Sequence, residues 1–354
     1  MTPTRIVINP PTEIGGTVPT GDNLHRRGLR LRLILGVFAI AACVIAPLIG
    51  PTAISLGEVF DPTIPFVQNV DAQIFFIARL PRALAGALVG GALAASGVVL
   101  QALLRNPLAT PFTLGVSAGS SLGAMLVITF GVSLDNNSVE AVPIASFVGA
   151  LAALAIVYAL ATMRRQGMST LVLLLAGVTL NSLFSAVILF VQFLAEPTQA
   201  LQTLRWTMGS LDIGNYQPLL WSLPPLAVAF VIFAQLPRAL NLLTLGAESA
   251  ATRGINVLNT QRMAFLGASL ATGAAVSLGG PIGFVGIIIP HLVRLLIGAD
   301  HRLVLPNSTY LGAAFVVICD VGARTLLSPM ELPVGVITAL LGGPFFLWLL
   351  VRQK

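Results

Sequence analysis

The sequence predicts an all-α polytopic membrane protein with ten transmembrane helices and both termini in the cytoplasm. Three observations carry this. Hydrophobic residues make up 56% of the 354 positions and charged residues only 9%, whereas soluble domains carry about 25% charged residues. The apolar residues fall into ten runs of the length a bilayer-crossing helix needs. The charges between those runs then sort by side, as loops facing the cytoplasm collect Arg and Lys.

Residues 1–24 are rich in Pro, Thr and Gly with no apolar period and read as a disordered cytoplasmic tail, extended to 1–32 by the basic cluster Arg26, Arg27, Arg30 and Arg32. The membrane domain is expected over 33–354, with runs at 33–49, 82–104, 113–131, 142–162, 171–194, 217–236, 262–278, 283–298, 308–323 and 333–351. Ile40-Ala41-Ala42-Cys43 has the look of a lipoprotein cleavage box, but apolar sequence continues past Cys43. An even number of crossings leaves only Arg79, Arg82, Arg205 and Arg324 of the 19 basic residues outside, and only Glu13, Asp22, Glu248 and Asp300 of the 13 acidic residues inside. A wrong crossing count would scramble this sorting.

The stretch Gly279 to Arg302 is the most telling of the runs. It opens on Gly-Gly-Pro, passes Ile282 to Ile289 with no polar side chain, and closes on Arg294, His301 and Arg302. Such a segment reads as a spanning helix whose exit faces the cytoplasm. Two connections are too long for simple turns. Glu196 to Gln217, outside, is expected to hold a short interfacial or re-entrant helix, and 237–261 is the longest cytoplasmic connection. Long loops in compact proteins are usually functional.

Composition excludes several classes. The excess of basic residues is scattered between apolar runs instead of forming one face, against nucleic-acid binding. The two cysteines, Cys43 and Cys319, lie inside apolar runs and supply neither a disulfide framework nor a metal set. The only lysine is Lys354, so a phosphate-gripping P-loop cannot be built and any ATPase must be a separate subunit. Metalloprotease and serine-hydrolase signatures are lacking, and His291 has no companion at ligand spacing. An ion-coupled secondary transporter would display carboxylates at mid-membrane, whereas the acids here sit at run ends or in loops.

Two constellations remain. Arg79-Leu80-Pro81-Arg82 puts two cations on the first turn of a helix, at the positive end of its dipole and on the side where cations are scarce. Nearby acids such as Asp71, headgroups reached by snorkelling, or an acidic partner could offset this. Arg324 follows Asp320 by four residues, the spacing of an internal ion pair. On the other side, Leu245-Gly246-Ala247-Glu248-Ser249-Ala250-Ala251-Thr252-Arg253-Gly254 reads as a two-turn helix opened after Gly246 and stopped by Gly254. Its small Ala250 and Ala251 suit either close approach by another protein or a plain solvated connector.

In order along the chain, RLPR at Arg79 to Arg82, RNPLATP at Arg105 to Pro111, LGVSAG at Leu114 to Gly119, LLLAGV at Leu173 to Val178, WTMGS at Trp206 to Ser210, the spaced Leu245, Gly246, Ala250 and Gly254, GPIGFVGIIIPHLVR at Gly280 to Arg294, ADHR at Ala299 to Arg302, Asp320 with Arg324, and ELPVGVITALLGGPFF at Glu331 to Phe346 together resemble the FecCD-type permease subunits of ATP-binding-cassette importers for iron-siderophore, haem or cobalamin. The resemblance covers 75–352 and implies the type II importer-permease fold, multi-pass in the bacterial cytoplasmic membrane. It also implies pairing with a second permease copy or homologue, two ATP-binding-cassette ATPase subunits that hold ATP and Mg, an extracytoplasmic substrate-binding protein, and no catalytic residue, metal or cofactor in this chain.

By the same resemblance Arg79, Arg82 and Arg324 receive glutamates of the binding protein. Leu245, Gly246, Glu248, Ala250 and Gly254 become the coupling contact with the ATPase, and Ser169 and Thr170 lie by the cytoplasmic gate. Two positions depart from the family pattern: Ala247 stands where an acid is common and Arg253 where Leu is common.

Overall fold

A helix covers each apolar run. The computed structural model describes residues 21–131, 141–163 and 169–352 and contains no strand among them. In chain order the helices are α1 (Gly21–Ile45), α2 (Leu56–Val59), α3 (Val70–Gln73), α4 (Leu80–Leu104), α5 (Val116–Phe130), α6 (Ala141–Thr162), α7 (Thr170–Leu194) and α8 (Pro197–Thr207). They are followed by α9 (Gln217–Gln235), α10 (Pro237–Leu243), α11 (Ala247–Thr252), α12 (Val257–Gly279), α13 (Val285–Ile297), α14 (His301–Thr325) and α15 (Val334–Arg352). Among the described residues six helical segments are long and apolar enough to cross a membrane, and α5, α13 and α15 supply shorter apolar helices. The chain is therefore a multi-pass membrane protein.

The centre of the bundle is α4. Val89, Ala92, Ala94, Ala95, Val98 and Val99 are all fully buried, and α4 packs against α12, α13 and α14. In lipid, apolar side chains gain nothing by leaving hydrocarbon, so helices associate through close backbone approach at small residues. The α5–α6 pair follows that rule: a Cβ on Gly119 would stand 2.6 Å from the Gly149 carbonyl oxygen, and one on Gly123 2.2 Å from that of Ala145.

Helix ends are set locally. Ser169 accepts a hydrogen bond from the Val172 N–H, Asn256 from that of Asn259 and Asp300 from that of Arg302, each satisfying a donor the first turn leaves open. At the other end of α11, Gly254 sits at φ +81, its N–H bonding to the Ala251 carbonyl and that of Ile255 to the Ala250 carbonyl. This paired pattern ends helices where a residue can turn left-handed.

Three departures from the sequence reading matter for function. The first helix begins at Gly21, so residues 21–32, expected as disordered tail, are helical; residues 1–20 lie outside the described residues. The second run does not begin at residue 82: a six-residue π-helical turn, Ile74–Arg79, joins α3 to α4 and delivers Arg79. Such turns insert an extra residue and re-aim side chains, often at functional sites. Finally, α13 has 13 residues, about 20 Å at 1.5 Å per residue, and falls short of the roughly 30 Å hydrocarbon core. Before it run the non-helical Gly280 to Phe284, of which Gly280 and Ile282 are buried and the rest half-buried.

Candidate functional site

Two arginines at one end of the bundle, Arg82 and Arg324, meet at one buried carboxylate, Asp320. Arg82 Nε donates to Asp320 Oδ1 at 2.8 Å, and Arg82 Nη1 to Glu331 Oε2 at 2.7 Å. Arg324 Nε lies 3.1 Å from Asp320 Oδ2, as the i,i+4 spacing predicts, but its N–H is not aligned on that oxygen and Arg324 Nη1 finds no partner.

Of the two cations at the start of α4, Arg82 is offset by Asp320 and Glu331, while Arg79, like Arg324, reaches the end of a different helix. Arg324 Nη2 donates to the Ala46 carbonyl at 3.3 Å; Arg79 donates to the Pro47 carbonyl at 3.2 Å and to that of Thr52. These carbonyls lie in the short 3₁₀ turn that continues α1 and in the loop just beyond it, where the backbone is electronegative and cations are favoured. Asp71, expected as a possible counter-charge, accepts from the Ser55 N–H at 2.7 Å and acts on Arg79 through its charge without a direct ion pair.

All three cations are buried, with exposures of 5% for Arg79, 6% for Arg82 and 2% for Arg324, and Asp320 is 1% exposed. The Glu331 side chain is 44% exposed. Glu331 is thus the solvent-facing member of the cluster, and it covers one side of Arg82.

The sequence offered no sign of Gly50. A Cβ there would stand 2.6 Å from Arg79 Cζ and Nη2, so its lack of a side chain is what lets Arg79 lie across the carbonyls. Gly50→Ala should push the guanidinium off at least one of them and cost about 1 kcal/mol, the worth of one such hydrogen bond. Thermal unfolding of the detergent-solubilised protein reads this, and an unshifted midpoint would mean that Arg79 is held otherwise.

At the opposite end, α10 and α11 form a helical hairpin flanking Gly246. Leu245 is 60% exposed, Glu248, Ser249 and Gly254 are also exposed, and Gly246 is half-buried. Ala250 is the exception: it is fully buried in the chain's own core. Helix α11 turns that side inward, and the hairpin's outward face is Leu245, Glu248 and Ser249.

Asn241 on α10 tethers this hairpin to the start of α14. Its Nδ2 donates to Asp300 Oδ1 at 2.7 Å, and its Oδ1 accepts from the His301 N–H at 2.9 Å. His301 Nδ1 lies 2.6 Å from the same oxygen, which assigns the imidazole proton to Nδ1. Burial pushes the Asp300 carboxyl up, but the Asn241 amide, the Arg302 N–H and the charges of Arg302 and His301 outweigh it and hold the carboxyl below its ordinary value. Its contribution to stability is thus present above the ordinary carboxylate range and is lost as pH falls through the lowered value.

Ser169 and Thr170 are both half-buried at the start of α7; the visible task of Ser169 is its cap. Gln101 bridges α4 and α13, donating to the Gly286 carbonyl at 2.8 Å and accepting from Arg294 Nη2 at 2.6 Å. Glu331 and Asn241 escape sequence reasoning because each acts on a residue far along the chain.

Residues 38–352 match the model of the FecCD transport family. The hemin transport system permease HmuU of Yersinia pestis is 38% identical over 327 residues, covering 91% of this chain and 96% of that one. The cobalamin import system permease BtuC of Halobacterium salinarum is 43% identical over 272 residues, 77% of this chain and 72% of that one. A solved metal-chelate type ABC transporter in an inward-facing conformation superposes with a TM-score of 0.78 at 33% identity, covering 92% of this chain and all of the other.

Proposed function

The chain belongs to the FecCD transport family and is a permease of an ABC importer; from that membership we propose that it carries a ferric chelate, a siderophore complex or haem, across the bacterial cytoplasmic membrane toward the cytoplasm. The observation that carries the substrate reading is the likeness, over nearly the whole chain, to the metal-chelate type transporter and to the hemin permease. Cobalamin is the second reading, favoured by the 43% identity to the cobalamin permease.

In this reading ten helical segments are seated in the membrane with both termini cytoplasmic. The chain pairs with a second copy or homologue, two ATPase subunits bind ATP and Mg, and a substrate-binding protein delivers the cargo from outside. The path runs between the paired permeases. Helix α7 supports that placement: it is the least buried of the long apolar helices, yet it exposes Thr179, Asn181, Ser182 and Ser185. An exposed amide facing hydrocarbon is costly, so this face meets the partner copy or the water-filled path, with Ser169 and Thr170 at its cytoplasmic start as the gate. No ionisable group lines that stripe, and selection of the cargo rests with the binding protein.

Docking uses the arginine cluster by exchange. A carboxylate of the binding protein replaces Glu331 on Arg82, while Asp320 keeps the buried charge compensated. Glu331→Gln should then tighten binding-protein affinity by roughly fivefold, since the internal competitor for Arg82 is weakened. Surface plasmon resonance on nanodisc-held permease measures it, and equal or weaker affinity would remove Arg82 from the docking contact. The transport reading itself is tested in vesicles containing permease, ATPase and binding protein, with ferric siderophore, haem and cobalamin offered in turn. Uptake of a ferric chelate that requires ATP is expected. Accumulation driven by a sodium or proton gradient with no nucleotide would overturn it.

A further inference from the structure

Helix α14 has its two ends in the two places where the importer reading puts external machinery. At its N-terminus Asp300 and His301 are held by Asn241 of the α10–α11 hairpin. Near its C-terminus Asp320 and Arg324 form the arginine cluster with Arg82. From His301 to Arg324 the helix runs about 35 Å at 1.5 Å per residue, with Pro306 in its first half and Val304, Asn307, Ser308, Ala314 and Val316 fully buried. The hairpin's other anchorage is apolar: Leu240, Leu243 and Ala250 sit in the core. Apolar contacts hold the hairpin down but have no direction, so they let it slide. Asn241 alone on α10 supplies a directional link, engaging one carboxylate, one backbone N–H and one imidazole.

We infer that Asn241 is a positioning residue for transport: it latches the ATPase-facing hairpin to α14, so that displacement of the hairpin is delivered to the helix whose far end carries Asp320 and Arg324, the members that α14 contributes to the arginine cluster. This rests on the importer reading above. A contiguous helix gripped at each end is one physical means of coupling distant sites, and the grip is where such coupling can be cut without touching either partner's contact surface. Asn241 is suited to that role because its amide donates and accepts at once; a carboxylate in its place would face Asp300 as a like charge.

The test uses the whole complex in lipid vesicles and reads three quantities: co-purified ATPase, ATP hydrolysed, and solute moved per ATP. For Asn241→Ala the ATPase subunits should co-purify and hydrolyse ATP as in wild type, while solute moved per ATP falls roughly fivefold or more, the range of ordinary coupling energies. Asn241→Asp guards against a variant that does not fold, since it keeps size and the acceptor for His301. It should be similarly uncoupled, because the new carboxylate faces Asp300 as a like charge. Normal coupling in both single variants overturns the latch, as does loss of ATPase co-purification, which would make Asn241 a docking residue. If the wild-type complex shows no ATP-dependent uptake, it is the importer reading that has failed, and the latch with it.

Discussion

Replacing Asp320 by Ala should be the most damaging single change at the arginine end of the molecule, lowering stability by about 3 to 5 kcal/mol, the usual cost of removing one partner from a buried ion pair. Asp320 is 1% exposed and is shared by Arg82 and Arg324; without it Arg82 keeps only Glu331, and Arg324 keeps only the Ala46 carbonyl. Two guanidinium groups would then be short of counter-charge where little water reaches. A fall of roughly 5 to 10 °C in the unfolding midpoint of the solubilised permease is expected.

Arg324→Met should be milder, because it leaves Asp320 on Arg82 and removes a group whose Nη1 is already without a partner. The pair Asp320→Leu with Arg324→Met should recover part of the loss of Asp320→Ala, since apolar replacement of both members relieves the desolvation that the single change exposes. If Arg324→Met proves as damaging as Asp320→Ala, the cluster is not held by charge compensation at Asp320, and the account of its electrostatics is wrong.

What could be read from the residues alone follows the range over which each signal acts. Hydropathy is local, and a helix covers every apolar run. Helix stops are local too: Gly246 and Gly254 bracket α11 as expected, because a left-handed stop depends on one residue and its neighbours. The destinations of the arginines depend on partners 238 and 249 residues away for Arg82, and on backbone carbonyls for Arg79, which carry no side-chain identity to recognise. The inward face of Ala250 was equally hidden, because six helical residues hold too little periodicity to show which side is buried. Asn241 reaches its partners 59 and 60 positions on, and nothing in its own neighbourhood marks it.

The axis of the bundle should be just as sensitive as the charge cluster, through Gly97. A Cβ on Gly97 would lie 2.2 Å from the Gly286 carbonyl oxygen and 2.7 Å from its Cα, and backbone atoms of a packed helix cannot swing aside as a side chain can. Helices α4 and α13 would have to separate, and one turn along the same face Gln101 would lose its 2.8 Å bond to that carbonyl. Gln101 is buried and also accepts from Arg294, so the disturbance spreads to a cation with few alternatives. Overpacking costs about 1 to 3 kcal/mol and a stranded buried amide about as much again, so Gly97→Ala should cost roughly 3 kcal/mol or more.

Two companions give the argument its test. Gly286→Ala meets its nearest atom, the Leu93 carbonyl oxygen, at 3.0 Å and should cost less, because a few tenths of an ångström of adjustment suffice. Gly36→Ala, on α1 with nothing within 4 Å, should leave stability unchanged or slightly raised, as alanine is the better helix former. Unfolding midpoints in the order Gly36→Ala, Gly286→Ala, Gly97→Ala, from highest to lowest, are the expected result. Should Gly97→Ala melt with Gly36→Ala, the α4–α13 contact is not a backbone-to-backbone one, and the tight centre from which both the latch and the arginine cluster are hung would have to be rebuilt.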